Sequence, residues 1–398
     1  MVLLEGPRTV GKSTLLRILS DTIGGRVVDL DDTDTREAVI RDPATMIDGP
    51  GPVLIDEYQH APLVLDAIKA RLNRSSRPGQ FVLTGSSRHQ SLPRAAQALT
   101  GRLQRLLVLP LAQCEIADTR PDLLHRLVTE TTEAVAAEPS ATTREDYITR
   151  LAQGGFPLAL AAPSDRARQR WTDTYVRLTL ERDVRDLSRV RQAHALPAVL
   201  ERVAGQTAQM LNGARVGAGL GIDDTTVRDY IRLLEAVFLV RLLPAWDRTL
   251  TRRTKTRPKA HMVDTGVATR LLRLTPDKLA RRDPTTLSEL GHPFETFVVN
   301  ELLKEASWTD EITDVGHWRT KDGDEVDLVL ETYDGRVIAF EVKTAARVTG
   351  PDLRGLTKLR DLLGAAFVAG VVLYTGARSY TYDDRLHVMP VDRLWHEA

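Results

Sequence analysis

Residues 6–13 read Gly6-Pro7-Arg8-Thr9-Val10-Gly11-Lys12-Ser13, a complete G-x-x-x-x-G-K-[ST] phosphate loop. No other stretch of the chain restricts its fold as much. Such a loop works only between a buried strand and the start of a helix. Its glycines let successive backbone N–H groups wrap phosphate oxygens, and the helix dipole adds to the attraction. Both neighbours are present: Val2–Leu4 is apolar, and Thr14–Leu19 has helical spacing. Further apolar runs at Arg26–Leu30, Val53–Ile55, Phe81–Leu83 and Leu106–Leu109 alternate with helical stretches such as Lys12–Ser20 and Leu63–Leu72. That alternation predicts a doubly wound parallel sheet.

The loop carries its own chemistry. Gly6, Pro7, Arg8, Thr9, Val10, Gly11, Lys12, Ser13 and Thr14 would enclose the phosphates of ATP, with Lys12 reaching the β- and γ-phosphates and the Ser13 hydroxyl on Mg²⁺. Val53-Leu54-Ile55-Asp56-Glu57 is an apolar strand ending in two acids. Asp56 would hold Mg²⁺ through water, and Glu57 would orient or deprotonate the attacking water. Thr84, in Phe81-Val82-Leu83-Thr84-Gly85-Ser86, stands where a residue sensing the γ-phosphate belongs, although Thr-Gly-Ser is also ordinary turn chemistry. Arg102 is an arginine finger or sensor, a finger acting in trans being the form found in homo-oligomers, or else a plain exposed arginine. The strand entering the loop opens at Met1, so adenine is expected to be held by later residues or by a segment ahead of this start.

Charge divides the chain although its formal net charge is zero. Residues 1–113 carry 14 cations and 12 acids, 114–146 carry 3 and 8, 147–290 carry 25 and 15, and 291–398 carry 12 and 19. A basic middle beside an acidic end argues for separate domains with separate tasks. The polar stretch 116–146 reads as a weakly helical connector. Within the middle, Ala214–Leu220, a turn at Gly221, and Thr225–Ala236 capped by Asp223 or Asp224 predict a helix-turn-helix. The strand Phe238–Leu243 and the run holding Arg248, Arg252, Arg253, Lys255, Arg257 and Lys259 would form its wing. Six cations in that run suit phosphate contacts with DNA, but equally a solvated loop or a docking surface for the acidic domain.

In the acidic domain, Glu325–Leu330 and Val337–Lys343 flank an Asp-Gly turn and predict a hairpin. Alternation puts Glu341 and Lys343 on one face, with Asp327 opposite on the neighbouring strand. An Asp followed by Glu-x-Lys has the form of the PD-(D/E)XK nuclease core: Asp327 and Glu341 as Mg²⁺ ligands, and Lys343 steadying the nucleophile or the phosphorane charge. Helix Phe294–Glu305 offers Glu295 or Glu301 as a further acid. Helix Asp352–Leu363 and strand Val371–Tyr374 complete an αβββαβ order. The alternative is a catalytically silent relative that binds a partner. Cys114, the sole cysteine, excludes an internal disulfide or a cysteine-based zinc cage. No run of 18 apolar residues and no signal-peptide pattern are present, so no membrane partner is expected and a cytoplasmic location is.

Across nearly its whole length, the connector excepted, the chain resembles P-loop ATPases of the AAA type that end in domain of unknown function 4143. The resemblance rests on GPRTVGKSTLL, VLIDEYQHAP, FVLTGSS, LTGRL, GGFPLAL, ERDVRDL, MVDTG, FETFVVNEL and GDEVDLVLE with FEVK. It implies a P-loop parallel sheet over 1–115, a connector over 116–146, a helical and winged-helix region over 147–290, and a restriction-endonuclease-like αβββαβ domain over 291–398. It implies ATP binding and hydrolysis, with functional positions at Lys12, Ser13, Asp56, Glu57, Thr84, Arg102, Asp327, Glu341 and Lys343. The expected function is an Mg²⁺-dependent ATPase whose nucleotide state controls DNA binding and cleavage, or a nucleotide-dependent switch with a silent nuclease-like domain.

Overall fold

The computed structural model describes all residues except 50, 87–100, 136–137, 185–191, 250–255, 282–283 and 397–398. The chain forms two compact units: residues 1–110 with 181–190 and 232–239, and the remainder.

In the first unit β1 (Val2–Glu5), β2 (Arg26–Asp29), β3 (Val53–Asp56), β4 (Phe81–Gly85) and β5 (Gln104–Leu107) form one parallel sheet in the order β2-β3-β4-β1-β5. Its strands read as short apolar runs because both faces are covered. Leu3, Val28, Ile55, Phe81 and Leu83 pack on one side with Val39 of helix Thr33–Arg41 and Ile68 of helix Val64–Arg74. Leu4, Leu54 and Val82 pack on the other with Leu16 of α1 (Lys12–Ile23). The last strand differs from expectation: it begins at Gln104 rather than Leu106, and all four of its residues are exposed. Among the described residues it is the sheet's edge, beside β1.

The second unit holds two sheets. A three-stranded antiparallel sheet orders β6 (Gln209–Met210), β8 (Lys259–Met262) and β7 (Val240–Leu243). Helices Gly213–Gly217 and Asp224–Ala236 precede β7, and Asp223 caps the second by accepting the Thr226 N–H at 2.8 Å. A six-stranded mixed sheet orders β13 (Tyr380–Asp383), β14 (Leu386–Pro390), β12 (Phe367–Tyr374), β11 (Val337–Lys343), β10 (Glu325–Thr332) and β9 (Ile312–Arg319). Helix Pro284–Ala306, longer than the expected Phe294–Glu305, supplies Phe294, Phe297, Val298 and Leu302 to one of its cores. Helix Arg354–Leu363 supplies Leu356 and Leu359 to the other.

The polar stretch after 116 is more ordered than its composition suggests. Helix Leu123–Thr129 buries Leu123, Leu124, Leu127 and Val128 in the core of the second unit.

Three of the shorter motifs meet in this unit as structural joints. Asp264 of MVDTG accepts the Gly155 N–H of GGFPLAL at 2.7 Å and caps helix Thr265–Leu271 through the Val267 N–H. Asn300 of FETFVVNEL donates to the carbonyls of Met262 and Val263. The two sheets are stitched at β9, where the Trp246 N–H donates to the His317 carbonyl at 2.6 Å and the His317 N–H to the Pro244 carbonyl at 2.9 Å. Gly316 permits this approach: a Cβ there would lie 2.8 Å from the Pro244 oxygen and 2.9 Å from the Trp246 nitrogen.

Candidate functional site

Residues 6–11 turn the chain from the end of β1 into α1. The helix starts at Lys12 with Gly11 in left-handed geometry and no side-chain cap, so its first N–H groups face the loop without a side-chain partner. That is the donor set a phosphate needs. Gly6 lies so close to β5 that a Cβ would fall 1.9 Å from the Val108 carbonyl oxygen, which pins the root of the loop.

Lys12 is buried, and its ammonium donates to the carbonyls of Gly6 at 3.0 Å and Pro7 at 2.7 Å. Burial lowers its pKa, opposed by the nearby Glu57 carboxylate. Ser13 follows at the helix start, half-buried. Asp56 and Glu57 end β3, both buried. The Thr84 hydroxyl, fully buried at the end of β4, donates to Asp56 Oδ1 and accepts the Glu57 N–H at 2.9 Å. Thr84 therefore ties the two acids together. Glu57 itself takes left-handed backbone geometry at φ 50°.

Two participants, Gln59 within VLIDEYQHAP and Asp183 within ERDVRDL, have no role assigned by those motifs. Gln59 donates its amide to Glu57 Oε2 and to Ser86 Oγ at 3.1 Å, holding the carboxylate from one side. Asp183 pairs with the Arg8 guanidinium at 2.8 Å and is buried. Its only trace in the sequence is the charged run ERDVRDL, which reads as a surface salt-bridge face. Arg102 is exposed and donates to Asn73 Oδ1 at 2.7 Å.

The loop, the helix start, Ser13 and the Asp56–Glu57 pair fit a magnesium nucleotide. The helix start is uncapped by any side chain, and the Glu57 and Asp56 charges both act on Lys12.

The acid cluster of the second unit is arranged differently from expectation. Pairing of Leu328 with Phe340 brings Asp327 opposite Glu341, and Asp327 Oδ2 accepts the Val342 N–H at 3.0 Å. Glu341 pairs with Lys343 at 2.7 Å. Lys259, expected among the phosphate-contacting cations of the wing, is instead only 1% exposed. Its ammonium bonds Glu295 at 2.7 Å, Asp327 at 2.8 Å, and Glu325. The correction has a simple cause: Lys259 opens β8, an inner strand, so its stem runs inward rather than along a solvated wing. Arg252, Arg253 and Lys255 lie outside the described residues. Arg248 and Arg257 are exposed.

Of the two helix acids, Glu295 reaches this cluster. Glu301 is committed elsewhere, to the Gln113 N–H at 2.6 Å and to Lys304 at 2.7 Å. Burial opposes the Lys259 charge, but attraction from Asp327, Glu295 and Glu325 holds its pKa well above the ordinary value. Burial and the Asp327 charge push Glu341 up to about 8. A divalent metal on Asp327, Glu341 and Glu295 does not fit this arrangement, because an ammonium already sits between two of those acids. Among the described residues no group of three or more His, Cys, Asp or Glu side chains is arranged to hold a metal ion.

A phosphate loop on a five-stranded parallel sheet, with paired acids at the end of β3, one strand removed from the loop's own β1, defines a nucleotide-binding protein of the P-loop class. Residues 1–117 match the AAA domain, 144–278 match domain of unknown function 8612, and 290–394 match domain of unknown function 4143. The chain thus joins an AAA domain to a C-terminal domain of unknown function 4143, as its motifs implied. Uncharacterized proteins of Mycobacterium tuberculosis and Mycobacterium bovis are each 26% identical over 397 residues, 99% of this chain and 80% of theirs. A solved Walker-type ATPase of Pyrococcus abyssi is similar at 16% identity and a TM-score of 0.38, over 68% of this chain and 90% of that one. Among the described residues no helix is long and apolar enough to cross a membrane.

Proposed function

We propose that the protein is an Mg²⁺-dependent ATPase that works as a nucleotide-dependent switch. The observation that carries this reading is the Thr84 bridge, which links Asp56 and Glu57 where β3 and β4 end beside the phosphate loop. When bound with ATP, Mg²⁺ neutralises charge on the β- and γ-phosphates. Lys12 leaves the carbonyls of Gly6 and Pro7 to meet phosphate oxygens, exchanging two neutral acceptors for anionic ones. Ser13 and Asp56 serve the metal side. Glu57 orients the attacking water and takes its proton, while Gln59 holds the carboxylate through Oε2. Asp183 fixes Arg8 on the rim of the loop.

The wing is a second element of the reading: exposed Arg248 and Arg257 suit DNA phosphates, and such contact would make turnover sensitive to DNA. Cleavage is not part of the proposal.

The test is ATP turnover with Mg²⁺, with and without duplex DNA, on wild type, Lys12→Ala and Glu57→Gln. The expected result is turnover in wild type, weak nucleotide binding in Lys12→Ala, and retained binding with stalled turnover in Glu57→Gln. Tight ATP binding by Lys12→Ala would sink the phosphate-loop assignment. Unchanged turnover on adding DNA would remove DNA from the reading.

A further inference from the structure

We propose that Lys259 is the resident cation of the acid cluster formed by Glu295, Asp327 and Glu325, filling the position in which those carboxylates would otherwise hold a divalent metal. The inference rests on the geometry of the second unit and not on nucleotide turnover.

Three observations carry it. The first is distance: the ammonium lies 2.7 Å from Glu295 and 2.8 Å from Asp327, with Glu325 as a third partner. A cation enclosed by carboxylates from a helix and a strand occupies the centre of the cluster rather than its rim. The second is charge. Glu325 also pairs with Arg319 at 2.5 Å, and Glu341 has Lys343 at 2.7 Å. Four carboxylates therefore meet three cations, and little negative potential is left to draw in a metal ion.

The third is anchorage. Lys259 lies in β8, paired with Met210 on one side and Leu243 on the other. Withdrawing its side chain from the cluster would leave buried carboxylates without a counter-ion, which proteins do not tolerate cheaply. The lysine is thus part of the fold, not a mobile plug. The Asp327 and Glu-x-Lys pattern survives here as an ion-paired joint between β8, helix Pro284–Ala306 and the six-stranded sheet.

The consequence can be measured without any assay of activity. Mn²⁺ binding is followed by the loss of the free-ion electron paramagnetic resonance signal on nucleotide-free full-length protein, with folding checked by circular dichroism. Wild type and Asp327→Asn are expected to bind Mn²⁺ alike. Lys259→Ala, which vacates the centre of the cluster, is expected to gain one Mn²⁺ per chain, bound about tenfold or more tighter than the wild-type background. The gain should vanish in Lys259→Ala with Asp327→Asn. Added Mn²⁺ should raise the melting temperature of Lys259→Ala but not of its Asp327→Asn double variant. A Mn²⁺ ion bound by wild type and lost in Asp327→Asn, or in Glu295→Gln, would overturn the proposal even if Lys259→Ala failed to fold. A folded Lys259→Ala that gained no Mn²⁺ would overturn it as well.

Discussion

Glu305 shows how one buried carboxyl can set a pH dependence. Its Oε1 accepts the Leu124 N–H at 2.8 Å, while Oε2 has no hydrogen-bond partner among the described residues. Burial pushes its pKa from 4.5 up to about 8. Between those values the folded protein keeps a proton that the unfolded chain has released, so this group's contribution falls as pH rises. Glu305→Gln should therefore gain on wild type by roughly 2–4 kcal/mol between pH 5 and pH 8, read from urea midpoints at both. A constant difference would remove Glu305 as the source. Lys259→Met should cost about 3–5 kcal/mol at neutral pH, because it leaves buried acids unpaired; urea unfolding measures it. Glu57→Gln should lower turnover by about 10²–10⁴ with little change in nucleotide affinity. At this scale motif residues were legible and their partners were not. Lys12, Asp56 and Glu57 sit at fixed spacings, whereas Gln59 and Asp183 are ordinary polar residues until the fold brings them to Glu57 and Arg8. Lys259 was misread because charge density along a sequence carries no record of which cation points inward.

At the scale of elements, the parallel sheet and the hairpin were read closely, since a buried strand announces itself by a short apolar run between turn residues. The edge strand was displaced because its four residues are exposed, and the apolar run overlapping its end, rather than the strand as a whole, produced the signal. Helix Leu123–Thr129 was expected only as part of a weakly helical connector, with no buried face. Its four buried residues stand in a short segment among Thr and Glu, too brief for periodicity to show. The second helix of the predicted helix-turn-helix was clear from its cap. Asp223→Ala should cost about 1 kcal/mol, since it removes the acceptor for the Thr226 N–H, and thermal unfolding would detect the loss. Gly316→Ala should be more damaging, about 1–3 kcal/mol, because backbone and a packed tryptophan occupy the space a Cβ needs. A neutral outcome would mean that the 244–246 segment yields.

On the scale of the whole chain, two units with separate cores predict two thermal transitions. A non-hydrolysable ATP analogue at about 100 times its dissociation constant should stabilise one of them by about 2.7 kcal/mol. Calorimetry on wild type and Lys12→Ala checks this: only the wild type should respond, and in only one transition. A single transition would show that the units unfold together. The stitch at β9 has a further consequence, in the order of synthesis. An open sheet edge is most adhesive while its protein is half made. Here residues 244–246, which cover β9, leave the ribosome before β9 itself does, so the edge emerges beside a partner from its own chain and is spared a search among its neighbours.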